Sequence, residues 1–207
     1  MNHYSDHASE LFIFYQGADP AQVHDCWIDL LPNAASLACD IGAGSGRDAA
    51  WLANKGWDVI AVEPAHELRK LGEQFTLTQP RENGSISWID DQLPELNRLR
   101  SQGQRFQLVL ISAVWMHLQP SEHQHAMRNV SELLAPAGLL VISLRHGPDD
   151  AGRFHPFTTD EIIALAQHRG LTVTRDIRGI ADKSRELVSW DYLVFNAPTS
   201  ETKQTTT

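Results

Sequence analysis

A glycine-rich turn between two apolar strands constrains this chain more than any other feature. The segment 36–64 predicts a strand, a tight turn, a helix and a second strand that ends in the carboxylate of Glu63. Glycines let the backbone turn sharply against a ligand, and the positive end of the following helix points to the same place. A carboxylate at the tip of the second strand can accept the hydroxyls of a ribose. The segment therefore predicts a nucleotide-binding half-site, whose glycines are Gly42, Gly44 and Gly46.

Two classes of cofactor are bound by such a unit. The dinucleotide fingerprint G-x-G-x-x-G, counted from Gly42, requires glycine where the chain has Arg47, although counting from Gly44 gives the relaxed form that ends in Ala49. Asp40 is more informative, because dinucleotide folds generally continue an apolar run at that place. The run Asp-Ile-Gly-Ala-Gly-Ser-Gly at 40–46 resembles motif I of the class I S-adenosylmethionine-dependent methyltransferases.

Strands and helices alternate along the chain, and the strands read as near-continuous apolar runs. Such a pattern predicts an α/β fold with a doubly wound, mostly parallel sheet and helices on both faces. No helix separates the last two strands, which predicts a hairpin with one antiparallel strand. Strands are predicted at 36–41, 57–62, 85–89, 106–112, 138–145, 171–178 and 188–196, and helices at 46–55, 65–75, 93–102, 121–135 and 159–169, after a helical region over about 5–31.

The resemblance to the methyltransferase family extends over nearly the whole chain and implies a seven-stranded sheet in the order 3-2-1-4-5-7-6. It is most specific over 38–64 and 106–144, and it departs from the family at Ala137, where Pro-Gly-Gly is usual. We expect one Rossmann-like domain over 1–198, with a helical cap at 1–35. The polar tail 199–207 is expected to be disordered.

Composition excludes several classes of protein. With 207 residues, the chain is too short for a cofactor domain and a separate substrate domain. It has no apolar run long enough to cross a bilayer and no basic, apolar start typical of a secretion signal, so we expect a cytoplasmic protein without a membrane partner. A net charge of −9 disfavours nucleic acid as a partner. The sequence does not define the oligomeric state.

The resemblance implies S-adenosylmethionine as the cofactor and S-adenosylhomocysteine as its product, bound at the carboxyl ends of the first four strands. The glycine turn would lie along the methionine head and the sugar, with Asp40 near the ammonium group. Glu63, which is followed by Pro64 at the start of a helix, would bind the ribose. Either Asp90 or Asp91 would accept from the adenine amino group, unless the two are only turn or capping residues.

Other parts of the chain are expected to complete the crevice. The backbone at 112–114, which begins with Ser112, would pass under the cofactor, and Trp115 would turn toward the substrate. Tyr15 and Tyr4 resemble positions that close over the cofactor in related enzymes, and ordinary helix packing explains them equally well.

Three residues are the candidates for catalysis. His117 follows the fourth strand, and Arg145 with His146 ends the fifth. A histidine can take a proton from the nucleophile near neutral pH, and an arginine can bind a carboxylate or phosphate of the acceptor. For His117 a capping or packing role is the alternative. The aperiodic segment 145–157 is either a lid over the substrate or a plain surface loop. Residues that would complete an acceptor pocket are Arg178, Arg185 and Trp190.

No metal site is expected. Two histidine pairs, His3 with His7 and His123 with His125, have ligand-like spacing, but neither has a cysteine or a carboxylate at ligand spacing. The two cysteines form no C-x-x-C motif.

The sequence thus predicts methyl transfer from S-adenosylmethionine to an oxygen, nitrogen or sulfur atom of an unidentified, small-molecule acceptor. Two alternatives remain at this stage. One is a nicotinamide-dependent oxidoreductase, for which the Tyr-x-x-x-Lys pair is absent. The other is a non-catalytic module that binds S-adenosylmethionine and acts through a partner.

Overall fold

The computed structural model describes residues 2–80, 83–149 and 152–199. These residues contain seven strands and eight α-helices. The strands are β1 (Leu37–Ile41), β2 (Asp58–Val62), β3 (Ile86–Ile89), β4 (Phe106–Ser112), β5 (Leu134–His146), β6 (Thr172–Ala181) and β7 (Ser189–Asn196). The helices are α1 (Asn2–Asp6), α2 (Ala8–Gln16), α3 (Pro20–Val23), α4 (Arg47–Asn54), α5 (His66–Thr78), α6 (Asn97–Ser101), α7 (His123–Glu132) and α8 (Thr159–His168).

The strands form one sheet in the order β3-β2-β1-β4-β5-β7-β6, which confirms the predicted fold class. Strands β1 to β5 are parallel to one another, and β7 is antiparallel to both β5 and β6. The carboxyl ends of the parallel strands therefore meet at one edge, and the strand order reverses between β1 and β4. This is the place where ligands bind in open α/β sheets.

Alternate side chains of the central strands fill two hydrophobic cores. On β4, Leu108 and Leu110 enter the core beneath α4, where Trp27 is also buried. Their neighbours Val109 and Ile111 enter the opposite core, which is covered by α6, α7 and α8. Because a strand directs successive side chains to opposite faces, a continuous apolar run is what a sheet covered on both faces requires.

Two predicted helical regions are shorter or more broken than expected. The helix predicted at 93–102 is reduced to α6, because Leu96 adopts a left-handed conformation with φ of 50° just before it. The region 5–31 divides into α1, α2, α3 and a short 3-10 turn, Ile28–Leu30, in agreement with Gly17 and Pro20 interrupting its pattern.

Strand β5 begins earlier than predicted and contains an irregularity at its start. Ala137 has a φ of 58°, in the left-handed region, and its N–H donates to the carbonyl of Pro198. This is the position at which the sequence departs from the Pro-Gly-Gly of the family that it resembles. An L-residue pays about 1–2 kcal/mol for that conformation.

No helix in the described residues is long and apolar enough to cross a membrane. The predicted tail lies outside those residues except for Thr199. The single domain over 1–198 and the cap over 1–35 stay predictions.

The substitution Ala137→Gly should raise the free energy of unfolding by about 0.5–1 kcal/mol. The substitution removes the strain of the left-handed conformation at an exposed residue. Part of this stabilisation is offset, because glycine has greater backbone entropy in the unfolded chain. Urea unfolding measures the difference. As a control, Ala164→Gly in the middle of α8 should lower stability by about 1 kcal/mol. A destabilised Ala137→Gly variant would contradict the assignment of strain.

Candidate active site at the carboxyl edge of the sheet

The predicted glycine turn lies between β1 and α4 and requires glycine at its first position. Gly42 has a φ of 77°, and a Cβ atom there would lie 2.3 Å from Cγ2 of Val114. Gly44 and Gly46 also have positive φ, and a Cβ on Gly46 would lie 2.8 Å from the side chain of Thr76. Backbone and neighbouring side chains thus approach more closely here than any residue with a Cβ allows.

Asp40 is buried at the end of β1, directly beneath this turn. Its residue is 2% exposed, and its Oδ2 atom has no hydrogen-bond partner. Burial raises the pKa of the Asp40 carboxyl well above its usual value, and the nearby Asp48 carboxylate raises it further. A buried acceptor without a donor costs free energy, so this oxygen is suited to a ligand that brings a donor, above all a cation.

A buried ionic cluster supports Asp40 from below, and sequence reasoning missed it. Arg47 donates two hydrogen bonds to the carboxylate of Asp48, from Nε at 2.7 Å and from Nη2 at 2.9 Å. Nε2 of His24 lies 3.1 Å from the same carboxylate. Burial acts to raise the pKa of Asp48, but His24 and Arg47 outweigh it and hold that pKa far below its usual range. The one available signal was the Arg-Asp pair at the start of α4.

Glu63 lies at the tip of β2, where the sequence places it, and it is buried. Its Oε2 accepts from the Gly44 N–H at 2.9 Å, and its Oε1 accepts from the Ala65 N–H at 2.8 Å. Burial raises the pKa of the Glu63 carboxyl, and these two backbone hydrogen bonds act to lower it. Pro64 separates Glu63 from the start of α5. The carboxylate therefore joins the glycine turn to the next strand.

The two aspartates after β3 have different surroundings. Asp91 accepts from the N–H groups of Arg98 and Leu99, so that it caps the start of α6. Asp90 is half exposed at the strand tip, with one oxygen 3.2 Å from Nη1 of Arg69 and the other 3.7 Å from Nη1 of Arg98. Capping occupies Asp91, and Asp90 is the one left facing the edge of the sheet.

Helix α2 is attached to the glycine turn by side chains from both partners. Arg47 Nη1 donates to the carbonyl of Tyr15 at 3.3 Å, and Gln16 Nε2 donates to the carbonyl of Ser45 at 3.2 Å. The ring of Tyr15 lies within 3.5 Å of the place that a Cβ on Gly44 would occupy. Burial raises the pKa of the Tyr15 hydroxyl. Tyr15 thus lies over the turn, and Gln16 is a further neighbour that sequence reasoning missed.

The backbone after β4 lies beside the glycine turn, since Val114 approaches Gly42. That this segment, which begins at Ser112, passes under the cofactor stays a prediction. Ser112 Oγ is 3.2 Å from Ser143 Oγ, which also accepts from the N–H of Ala113. The expectation for Trp115 is wrong. Its side chain is fully buried in the core and packs near the ring of His123, so it does not face a substrate.

His117 lies on the open side of this backbone, opposite helix α1. Its Nε2 is hydrogen-bonded to the hydroxyl of Tyr4 at 2.9 Å, and its ring packs edge-on against Phe154. Burial lowers the pKa of the His117 imidazole, which favours the uncharged ring near neutral pH. The hydroxyl group of Tyr4 is therefore part of the same candidate site as His117.

Arg145 and His146 at the end of β5 have different environments. The guanidinium of Arg145 lies over the ring of Phe154, with 4.9 Å between its Cζ and the ring centroid. His146 turns toward β7, where Nε2 lies 3.0 Å from Oδ2 of Asp191 without hydrogen-bond geometry. Its ring packs against Phe157. These contacts assign His146 to the junction of β5, β7 and α8.

The outlying arginines and histidines are separated by the fold. Arg185 and Trp190 lie together, with the guanidinium over the indole, whereas Arg178 forms ion pairs on the exposed edge strand. His123 is fully buried and hydrogen-bonded to Glu161, so it belongs to the packing between α7 and α8. Within the described ranges, no three metal-binding side chains lie together.

Comparison with known proteins shows the class of this fold and site. A family model described as a methyltransferase domain matches residues 27–196. The chain belongs to that family, and the resemblance to the class I S-adenosylmethionine-dependent methyltransferases is confirmed.

Individual relatives are more distant. Glycine N-methyltransferase of Mus musculus is 25% identical over 115 residues, which are 52% of this chain and 39% of that protein. The chain thus spans less than half the length of the curated relatives that it matches.

Two solved structures share the fold. The N-methyltransferase NodS from Bradyrhizobium japonicum, in complex with S-adenosylhomocysteine, superposes with a TM-score of 0.69 at 16% identity, over 94% of this chain and 98% of that one. The 1,6-didemethyltoxoflavin-N1-methyltransferase of Burkholderia thailandensis, with its substrate and S-adenosylhomocysteine bound, gives 0.62 at 21% identity over 86% and 76%.

The substitution Asp48→Asn should lower the free energy of unfolding at pH 7 by about 3–5 kcal/mol, since it leaves Arg47 buried without its carboxylate. The pKa of Asp48 is lower in the folded state than in the unfolded state, where it is near 4. The stability that this difference contributes is therefore fully present well above pH 4 and is lost as the pH falls below it. The difference from the wild type should therefore narrow between pH 7 and pH 3 in urea unfolding. Exposed Asp6→Asn is the control, expected within about 0.5 kcal/mol at both pH values. A gap that does not change with pH would contradict the ionised state of Asp48.

Proposed function

We propose that this chain transfers the methyl group of S-adenosylmethionine to an oxygen, nitrogen or sulfur atom of a small-molecule acceptor. The observation that carries the proposal is the buried Oδ2 of Asp40, which has no donor and lies beneath a turn of glycines. A carboxylate in this state is suited to the ammonium group of an amino acid head. Asp40 and the glycine turn therefore fit the amino acid head of S-adenosylmethionine. When bound, this cofactor supplies a methyl group that is activated by the sulfonium charge.

The side chains around the turn divide the recognition of the cofactor. The glycine turn allows a close approach of the backbone, and Tyr15 covers it from α2. Glu63 keeps lone pairs for ribose hydroxyls in addition to the two backbone donors that hold it in place. Asp90, at the tip of β3, is the better of the two candidates for the adenine amino group, because Asp91 is occupied as a helix cap.

His117 is our candidate for the group that takes a proton from the methyl acceptor, which it reaches through the Tyr4 hydroxyl that is bonded to its Nε2. Its lowered pKa keeps the imidazole uncharged near neutral pH, and Tyr4 fixes the orientation of the ring. Positioning of nucleophile and methyl group can supply roughly 7–11 kcal/mol of the barrier, so the protein mainly has to hold the acceptor in line. General base catalysis adds about 10²–10⁴-fold. His146, which lies against Asp191, would support the neighbouring strand end and not the reaction.

A small-molecule acceptor agrees with the names of the relatives, which act on glycine and on 1,6-didemethyltoxoflavin. The acidic net charge of −9 disfavours a nucleic acid in its place. We place the reaction in the cytoplasm, as the composition predicts. Nothing in the family match favours the nicotinamide-dependent alternative.

Calorimetric titration of the full chain with S-adenosylhomocysteine and with NADH tests the cofactor. We expect binding of the first and none of the second, because Asp40 and the glycine turn suit an ammonium head and not a pyrophosphate. Release of labelled methyl groups over a panel of small acceptors then distinguishes an enzyme from a non-catalytic binding module. Binding of NADH alone would overturn the proposal.

The substitution Glu63→Ala should weaken binding of S-adenosylhomocysteine by roughly 1.5–3 kcal/mol, the size of hydrogen bonds to a charged group. Glu67→Ala, on the exposed first turn of α5, is the matched control and should bind as the wild type does. Calorimetry measures both, and circular dichroism verifies folding. Unchanged affinity in a folded Glu63→Ala variant would remove this residue from the site.

A further inference from the structure

Three arginines from different parts of the chain lie in the region that extends from His117 to the end of β5. Arg145 ends β5, Arg153 follows in the segment before α8, and Arg185 lies in the connection between β6 and β7. Arg145 interacts electrostatically with both of the others, and Arg153 and Arg185 both act on the hydroxyl of Tyr15. Contacts link the three guanidiniums, called here the arginine cluster: Arg145 lies opposite Trp190 in the sheet, and the guanidinium of Arg185 lies over that indole. Arg153 lies over the ring of Tyr4.

Each arginine of the cluster has nitrogen atoms that are shielded from solvent and have no hydrogen-bond partner. They are Nη1 of Arg145, Nε and Nη1 of Arg153, and Nε of Arg185. Buried donors are nearly always satisfied, and a group of four in one place calls for an acceptor. A guanidinium presents its N–H groups in a planar fork that matches two oxygens of an oxyanion.

Aromatic rings pack against the faces of the guanidiniums, so that the edges stay available for hydrogen bonds. Arg145 lies over Phe154, Arg153 lies over Tyr4, and Arg185 lies over Trp190, with 4.9 to 5.7 Å between each Cζ and its ring centroid. A stacked guanidinium is fixed in orientation without using its hydrogen-bond donors. The cluster is thus ordered before any ligand binds.

The charges of the cluster do not cancel within the described residues. Asp149 lies 3.9 Å from Nε of Arg153, and Asp182 accepts from Nη2 of Arg185 at 2.6 Å. Among the described residues, Arg145 has no carboxylate within ion-pair distance, and the one hydrogen bond that it donates goes to the carbonyl of Pro148. One positive charge is left over, which is the charge that a carboxylate neutralises.

We infer that the methyl acceptor carries a carboxylate group, which Arg145 binds together with the free edges of Arg153 and Arg185. The inference rests on the proposed function and deepens it by naming the chemical class of the acceptor, a small carboxylic acid with a nucleophilic nitrogen, oxygen or sulfur atom. Tyr4 is stacked under Arg153 and bonded to His117. The anchored carboxylate and the group that takes the proton are therefore neighbours.

To test the inference, the full chain is incubated with methyl-labelled S-adenosylmethionine and with the small molecules of an ultrafiltered cell extract. The labelled product should bind to a strong anion exchanger at pH 11, where an amino group is uncharged and a carboxylate is not, and it should no longer bind after its carboxyl groups are amidated. A product that passes through unbound, or one that still binds after amidation as a phosphate does, would overturn the inference.

The KM for the acceptor in the methylated fraction of the extract should be about 10- to 150-fold higher for Arg145→Gln than for the wild type. This is the effect of a lost hydrogen bond to a charged group. The affinity for S-adenosylhomocysteine, measured by calorimetry, should stay within about twofold. Arg128→Gln, at an exposed site on α7, is the matched control and should change neither quantity. An unchanged KM in Arg145→Gln would contradict the role of Arg145.

Absence of any labelled product would count against the proposed methyl transfer, and a second measurement then tests the cluster by itself. Saturation-transfer NMR with acetate and acetamide, in the presence of S-adenosylhomocysteine, should show contact for acetate only. This contact should be lost in Arg145→Gln and kept in Arg128→Gln. Equal signals from the two probes, or none from acetate, would overturn the inference.

Discussion

The burial of three carboxylates around one glycine turn is the constraint on which the site depends. Asp40, Asp48 and Glu63 are all removed from water, and the chain stabilises them in different ways. Arg47 and His24 compensate Asp48, and backbone N–H groups compensate Glu63, whereas one oxygen of Asp40 has no compensation. Buried charges are expensive unless paired, so the sheet edge is built to hold one unpaired acceptor in a defined place.

Most of the fold could be predicted from the sequence because local pattern and global topology agree. Apolar strands separated by helices define a parallel sheet, and the missing helix before β7 defines the hairpin. The predicted bounds failed where one backbone conformation decides the outcome, as at Leu96 and Ala137, both of which have positive φ without being glycine. A pattern of hydrophobicity contains no information about such residues.

The site was predictable in the same uneven way. The glycine turn and Glu63 are contiguous in sequence with their strands, so a motif is enough to locate them. Side chains whose partners lie far along the chain were not visible: His24 reaches Asp48, and Trp115 turns inward to His123. The aspartate pair after β3 shows the intermediate case, since only the position of α6 reveals that Asp91 caps a helix.

Helices α1 and α2 form one wall that contacts both the glycine turn and the surroundings of His117. Tyr15 on α2 lies over the glycine turn, and Tyr4 on α1 is bonded to His117 and stacked with Arg153. A ligand that orders this wall from one side lowers the entropy cost of binding on the other, and by thermodynamic reciprocity the effect is equal in both directions. Under the proposed function, binding of the methyl donor and of the acceptor should therefore strengthen each other through α1 and α2, by the same factor whichever ligand binds first.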